Sequence, residues 1–400
     1  MPPIRTVGPW PVEVARSVRE RTRTDLPALL GELADWVSID SPTGDLEAVD
    51  AMAHRLAGRL AEWGTKTELL ETPDGHYLHA RVDGPGEGRV ALLCHHDTVF
   101  RAGTARARPM TTDGDLARGP GVADMKGGVL VAAHVLRLFA ADEALRSGVR
   151  TIELISVPDE ELRTMPFRTI DQLRDFDAVL CMECGRPGNG IVTARKGGHW
   201  ATLSVEGLSA HAGVAADRGR SALLAACREA LRISGLDGAR AGLGVHVTTL
   251  SAGEVLNSVP SAAEMIIDVR AWHPEDLDWG LGQLAAVAEH EGVRLTFDAG
   301  PRVPPMERTA GVGALAAAAA ELGVVLDRPL NEVSTGGVSD ACWTAGAGIP
   351  TLDGLGPIGA DDHSPNEWIE ISSIPDRCGL VAGLVAAVPL AQHPKDGVRL

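Results

Sequence analysis

The sequence predicts an α/β protein in which a small βαββαβ domain interrupts a larger sheet-based domain, and three observations predict it. Short apolar runs ending in acids or histidines alternate with amphipathic helical segments, the pattern of a sheet covered by helices. Between about residues 195 and 304 the order becomes strand, helix, strand, strand, helix, strand, which is that of a ferredoxin-like unit. A chain of 400 residues is also long for one core and suits two domains.

Residues 25–39 and 48–64 carry apolar side chains at three-to-four spacing and read as amphipathic helices. Arg89-Val-Ala-Leu-Leu-Cys-His-His-Asp97 is an apolar run with a polar end, a buried strand that delivers side chains to a sheet edge. Residues 127–142 follow a glycine pair as a helix, and 150–161 and 176–184 are again buried strands ending in acids. In such sheets ligands sit at the carboxyl ends of the strands, where these acids and histidines fall. In the insert, 199–207 alternates as a strand, 219–234 is a helix, 244–253 and 263–272 are strands, 275–292 a helix and 293–300 a strand. The α/β pattern resumes with a helix at 311–323 and a strand at 349–357. The expected boundaries are therefore 1–194 and 305–400 for the larger domain and 195–304 for the insert.

Composition narrows the function. A formal charge of −17 leaves no basic face for nucleic acid or an anionic membrane, so neither is expected as a partner. No apolar run reaches the roughly 18 residues of a membrane span, and the first residues lack the apolar core of a secretory signal. Six cysteines in 400 residues are too sparse for a disulfide scaffold and fit a reducing, cytoplasmic setting. Cys181 and Cys184 form a C-x-x-C, but no second pair completes a structural zinc site.

Five separated segments place metal-type ligands at strand ends. His95 and Asp97, two apart on a strand, point to one face, so the imidazole can bind a metal while the carboxylate holds its other nitrogen. His96 points the other way and reads as structural. Asp124 follows a glycine-rich turn and precedes a helix, where an isolated aspartate more often caps; Lys126 reads as a structural partner of that turn. Glu160 and Glu161 end a strand, and adjacent side chains diverge, so one can hold a metal while the other faces substrate as a base. Glu183 and His363 each end or follow a buried strand and are weak signals alone. Together, His95, Asp124, Glu161, Glu183 and His363 supply the oxygen and nitrogen donors of two adjacent zinc centres, and Glu160 is placed to take a proton from water.

These motifs, in order, are HHDTVF, GPGVADMKGG, the DEE triplet, ECG, RKGGHWATLSVEGLSAHAG, LNSVP, DVR, GGVSDA and DDHSPNE. They resemble, over nearly the whole chain, the acetylornithine deacetylase, succinyl-diaminopimelate desuccinylase and glutamate carboxypeptidase family of dinuclear zinc hydrolases, closest to its carboxypeptidase G-like members. The resemblance implies a zinc-peptidase-like α/β catalytic domain with an inserted ferredoxin-like lid and dimerisation domain. It implies two Zn2+ per chain, with Co2+ or Mn2+ as alternatives: His95, Asp124 and Glu183 at one, Asp124, Glu161 and His363 at the other. Glu160 would be the base and Asp97 the orienter of His95. His211 would reach into the site of a homodimer partner to stabilise an oxyanion. Asn257 and Arg270 would bind the substrate carbonyl and carboxylate, and the backbone amides of Gly336 and Gly337 would face substrate.

The expected reaction is hydrolysis of the amide or peptide bond of a small N-acyl or peptidyl amino acid with a free carboxylate. The rivals are an N-deacylase that releases an acyl group from an amine, and a catalytically silent binding protein of the same fold. The chain departs from the family at several positions. Relatives carry an arginine where Val303 stands in Arg302-Val303-Pro304-Pro305-Met306, and a Gly-Ser turn into a helix where Leu162 to Ile170 follow the DEE triplet. Cys94 replaces a glycine or serine, and Cys184 a proline. These changes touch substrate choice rather than the ligand set.

Overall fold

The computed structural model describes residues 7–162 and 165–391. Residues 163 and 164, within the run that departs from the relatives, and the first six residues lie outside the described residues. The fold divides into two compact units.

The first unit takes the described residues up to Thr193, Arg308–Ser334 and those from Ser339 onward. Its centre is a six-stranded mixed sheet in the order Lys66–Thr72, Gly75–Asp83, Val149–Val157, Gly88–His95, Ala178–Cys181, Thr351–Leu352. The last four run parallel, and the first two form an antiparallel hairpin joined antiparallel to Val149–Val157. The inner strands are apolar almost throughout because both faces are covered. Helices Leu46–Glu62, Gly127–Ala141 and Ser373–Ala391 pack on this sheet, and Pro9–Val37 lies along Ser373–Ala391. The parallel strands end at His95, at Val157 just before the DEE triplet, and at Cys181 just before Glu183, so three chemistry-bearing segments emerge side by side.

A smaller antiparallel sheet, in the order Gly359–Ala360, Trp368–Glu370, Leu116–Arg118, Thr111–Asp113, brings the His363 segment beside the turn that carries Asp124. The glycine pair at the start of the Gly127–Ala141 helix permits a close approach. A Cβ at Gly128 would lie 1.9 Å from the carbonyl oxygen of Met182, so the Glu183 segment could not sit where it does.

The second unit comprises Ala194–Glu307 and Thr335–Val338. Its sheet runs Gly244–Ala252, Ala262–Ala271, Gly197–Glu206, Arg294–Asp298, antiparallel throughout, with Arg302–Val303 also paired to Gly197–Glu206. Helices Ala222–Ser234 and Pro274–Ala285 cover one face. Numbered by sequence, the strand order is 2-3-1-4, that of a ferredoxin-like fold.

The structure departs from the sequence reading at three places, two of them with a cause in the tertiary contacts. The first helix is 29 residues long and continues through Pro27. The helix expected over 275–292 stops at Ala285, because buried Glu229 draws the following chain away, accepting from the Ala288 amide at 3.2 Å and meeting His290 Nε2 at 3.2 Å. The strand expected over 349–357 shrinks to Thr351–Leu352, since Gly354 and Gly356 give their amides to loop partners.

Candidate active site

The carboxyl ends of the first unit's parallel strands and the Asp124 turn converge on one carboxylate. Asp124 presents one oxygen to each of two histidines: His95 Nε2 lies 2.9 Å from Oδ1 and His363 Nε2 lies 3.1 Å from Oδ2. His363 Nε2 also lies 3.0 Å from Glu161 Oε2, and His95 Nε2 lies 3.8 Å from Glu183 Oε1. Donor atoms of His95, Asp124 and Glu161 fall within 4.8 Å of one another, as do those of His95, Glu160 and Glu183. Asp97 sits behind His95, its Oδ1 3.2 Å from Nδ1, and its other oxygen accepts from the Thr43 hydroxyl at 2.8 Å and the Glu161 amide at 3.2 Å. His363 holds a left-handed backbone at φ 60°, which turns its ring back toward Asp124 and costs about 1–3 kcal/mol that the surrounding structure must offset.

The electrostatics of this cluster are those of a cation site. Burial opposes charge on His95, but hydrogen bonds to Asp124 and Asp97 outweigh it and hold its pKa well above the usual histidine range. Hydrogen bonds to Asp124 and Glu161 raise His363 to about 11. Asp124 is desolvated too, yet the two histidines hold its carboxyl far below normal. Burial raises Glu160, reinforced by the negative charges of Glu183, Asp340 and Glu161 although His95 opposes it, and burial is likewise the main cause that raises Glu161. Two imidazolium groups thus balance a concentration of acids. Glu161 Oε1 is buried with no hydrogen-bond partner. Two imidazole nitrogens and several carboxylate oxygens facing one another, one of them unsatisfied, fit a divalent ion of the borderline, nitrogen- and oxygen-seeking kind.

The remaining predicted residues lie in the second unit. His211, on the strand Ala210–His211, and Asn257, in the turn that leads into its partner strand Ser258–Val259, come together there, with Asn257 Nδ2 3.5 Å from His211 Nε2 and the Ala212 amide donating to the Asn257 carbonyl at 2.9 Å. Arg270 is held by Asp268 through two bonds of 2.8 and 2.9 Å, and its guanidinium stacks 4.8 Å over Trp200. Val303 is buried, while Arg302 on the opposite face is ion-paired to Asp278 at 2.7 Å. Gly337 accepts at its carbonyl from Arg195 at 3.1 Å, and the Gly336–Gly337 loop otherwise leaves open space around Gly336.

A model of peptidase family M20/M25/M40 matches residues 91–387. The chain belongs to that family. It is 30% identical to carboxypeptidase G2 of a Pseudomonas species, over 90% of this chain and 89% of that one. It is 25% identical to succinyl-diaminopimelate desuccinylase of Stenotrophomonas maltophilia, over 90% of this chain and 99% of that one. Among solved structures, aminopeptidase PepT of Bacillus cereus superposes with a TM-score of 0.74 at 19% identity, covering 91% of this chain and 98% of that one, a likeness of fold. This M20 chain is therefore a metal-dependent hydrolytic enzyme of the metallopeptidase and amidohydrolase type, related to carboxypeptidase G2 and to succinyl-diaminopimelate desuccinylase.

Two supporting residues escaped the sequence reading. Glu367, buried at 1% exposure, accepts from the amides of Gly121, Ala123 and Asp124 at 2.9, 2.8 and 3.0 Å and so holds the turn that projects Asp124. Burial, reinforced by the Asp124 charge, raises its carboxyl to about 7 despite those amides. Thr43 fixes Asp97 from a loop 54 residues away. The only sequence signal for Glu367 is its place four residues after His363, which does not reveal which amides it meets. His96 is buried against Ser156 at 2.9 Å and Lys126 donates to the carbonyls of Trp36 and Ile39, both structural roles. The Cys184 thiol is buried near Asp362 and Arg186, and burial pushes its pKa well up, so it is not a ready nucleophile. Among the described residues no helix is long and apolar enough to cross a membrane.

Proposed function

We propose that this enzyme hydrolyses the amide bond of an N-acyl or peptidyl amino acid bearing a free carboxylate, using two zinc ions and Glu160 as general base. The observation that carries the reading is Asp124 giving one oxygen to each of two histidines, with Glu161 beside one and Glu183 beside the other. His95, Asp124 and Glu183 would hold one ion, and Asp124, Glu161 and His363 the other. When bound, the ions supply Lewis-acid polarisation of the scissile carbonyl and acidify water at the site.

Glu160 takes a proton from the attacking water as its oxygen bonds to the acyl carbon. The same carboxyl then delivers that proton to the departing nitrogen as the C–N bond breaks. Burial raises its pKa above the usual carboxylate range, the direction that favours returning the proton as well as taking it. Asp97 fixes the tautomer and orientation of His95. His211, steadied by Asn257, would donate to the oxyanion across a homodimer, and Arg270 would bind the carboxylate, its charge already oriented by Asp268 and Trp200. The Gly336 and Gly337 amides would face substrate.

Support for the dimer comes from the second unit, whose Gly244–Ala252 strand is a sheet edge and whose outer helix exposes Leu224 and Leu231 at 57% and 75%. Six free cysteines, five of them buried, support a cytoplasmic setting. The test is a panel of N-acyl amino acids and dipeptides with the metal-loaded enzyme, the released amino acid read by mass spectrometry. Release that requires a free carboxylate and about two zinc ions per chain supports the reading. Release of amines lacking a carboxylate favours the N-deacylase alternative.

A further inference from the structure

Glu183 and His363 come from segments far apart in sequence, and three side chains that the mechanism above does not use join those segments beside the cluster. Arg186 Nη1 lies 3.1 Å from Asp362 Oδ2. The same nitrogen donates to Cys184 Sγ at 3.4 Å, and that sulfur lies 3.6 and 3.8 Å from the two Asp362 oxygens. Cys184 directly follows Glu183, and Asp362 directly precedes His363.

The two ends of this bridge are held differently. On the Glu183 side the backbone is pinned to the sheet and its neighbours. The Met182 amide donates to the Leu93 carbonyl at 2.9 Å, the Gly356 amide to the Glu183 carbonyl at 2.8 Å, and Arg186 exchanges bonds of 3.1 and 2.8 Å with Gly190. His363 instead stands in a turn, its side chain 52% exposed, with left-handed backbone at Asp361 (φ 62°) and at His363 itself (φ 60°). Such conformations are sparsely populated outside glycine and persist only where the surroundings hold them. The Ser364 amide donates to the Asp361 carbonyl at 3.2 Å and Trp368 Nε1 to Asp361 Oδ2 at 3.1 Å, bonds within the turn's own segment. The Arg186–Asp362 pair ties that segment across to the pinned side. Its side chains are 24% and 26% exposed, and a pair so open to water adds little to global stability. What it fixes is geometry.

We infer that Arg186 is a positioning residue: through Asp362 it sets the His363 ring, and with it the affinity of the ion held by Asp124, Glu161 and His363. The inference rests on the two-zinc reading above. Cys184 stands where relatives carry proline and supplies a thiol donor that proline lacks, so that part of the clamp is not open to those relatives.

Charge and position pull in opposite directions here, which makes the sign of the effect decisive. Arg186→Met removes a cation from the neighbourhood and leaves Asp362 an unpaired anion, and Coulomb attraction alone would then tighten a divalent ion. Lost positioning weakens one ion instead, by about tenfold or more, the scale found when groups behind metal ligands are removed.

The experiment titrates zinc against a chromophoric chelator into the metal-free wild type, Arg186→Met, Asp362→Asn, His363→Ala and the Arg186→Met/His363→Ala double variant. Asp362 and Arg186 both reach water, so either can lose its partner and the chain still folds, which thermal unfolding of each metal-free protein checks. The expected result is two zinc ions in wild type and, in both pair-breaking variants, one ion held as in wild type and the other about tenfold or more weaker. In the His363→Ala background, Arg186→Met should leave the remaining zinc unchanged. A weaker ion that stays unchanged or tightens, a parallel weakening of both, or a further loss in the His363→Ala background overturns the inference. A wild type that takes a single zinc sinks the two-zinc reading and the inference with it. Two ions in wild type, both indifferent to Arg186, sink the inference alone.

Discussion

Glu367 offers the sharpest way to disturb the site without touching any residue proposed to meet metal or substrate. Its Oε1 accepts from the Ala123 and Asp124 amides and its Oε2 from the Gly121 amide, all within 3.0 Å and away from water. In Glu367→Gln the new amide group can keep one oxygen in place, but its NH2 then confronts an N–H. At least one charge-assisted bond is lost, worth about 1.5–3 kcal/mol, and a buried donor is left unmet at a further cost of about 1–3 kcal/mol. The expected total is about 2.5–6 kcal/mol. Part of it appears as global stability and part as freedom of the Asp124 turn, because a turn that no longer presents Asp124 to both histidines binds a metal less well. Residues that support metal ligands typically change affinity by about 10–100-fold. The assay is chelator competition for zinc at pH 8, above the carboxyl's raised value of about 7, alongside urea denaturation of the metal-free protein. Zinc affinity reduced by about tenfold or more, beyond what the stability loss predicts, is expected for Gln and a larger loss for Ala. Unchanged zinc affinity in a folded Glu367→Gln protein would refute the reasoning.

Three further outcomes follow from the same geometry. Because His95 and His363 are both held above their usual pKa, the metal-free site is protonated at neutral pH, so metal binding should release about two protons per chain and tighten as pH rises; calorimetry in buffers of different ionisation enthalpy reads this, and no release would contradict it. Arg270→Ala should cost roughly tenfold to a hundredfold in kcat/KM for substrates with a free carboxylate, whereas Arg302→Ala, whose side chain leaves the exposed face of its strand opposite buried Val303, should cost less than about threefold; the reverse order would assign the carboxylate to Arg302. His211→Ala and Glu160→Gln proteins, each inactive alone, should regain activity on mixing once subunits exchange, and none regained despite verified exchange would rule out a shared site.

The fold was legible where burial leaves a simple trace. Apolar runs such as Val90 to Leu93 are inner strands because both faces are covered, and the alternation of 263–271 marks a sheet with one open face. The hairpin Lys66–Asp83 and the C-terminal helix went unread. The hairpin's outer strand, Lys66–Thr72, is half exposed and lacks a clean alternation, and the helix is apolar almost all round, so it carries no amphipathic signal. Glu229 ended a helix that local propensity would have continued, through bonds that only tertiary contact provides. Within the site, His95, Asp97 and the DEE triplet stood out because strands deliver them. Asp124 and His363 look like ordinary turn residues until the small sheet folds one beside the other. Glu367 and Thr43 were invisible, since what each does is defined by amides and carboxylates contributed from far along the chain.

The central claim, amide hydrolysis through the carboxyl of Glu160 at a metal centre, is met most directly by one comparison. Wild type and Glu160→Gln, each assayed for bound zinc, are given the best acyl-amino acid substrate at saturating concentration. The amide keeps the shape of the side chain but cannot take a proton from water, and general-base catalysis contributes about 10²–10⁴-fold. Equal zinc content with turnover reduced by at least that factor is the expected result. Near-normal turnover in a Glu160→Gln protein with its full zinc content would contradict the claim.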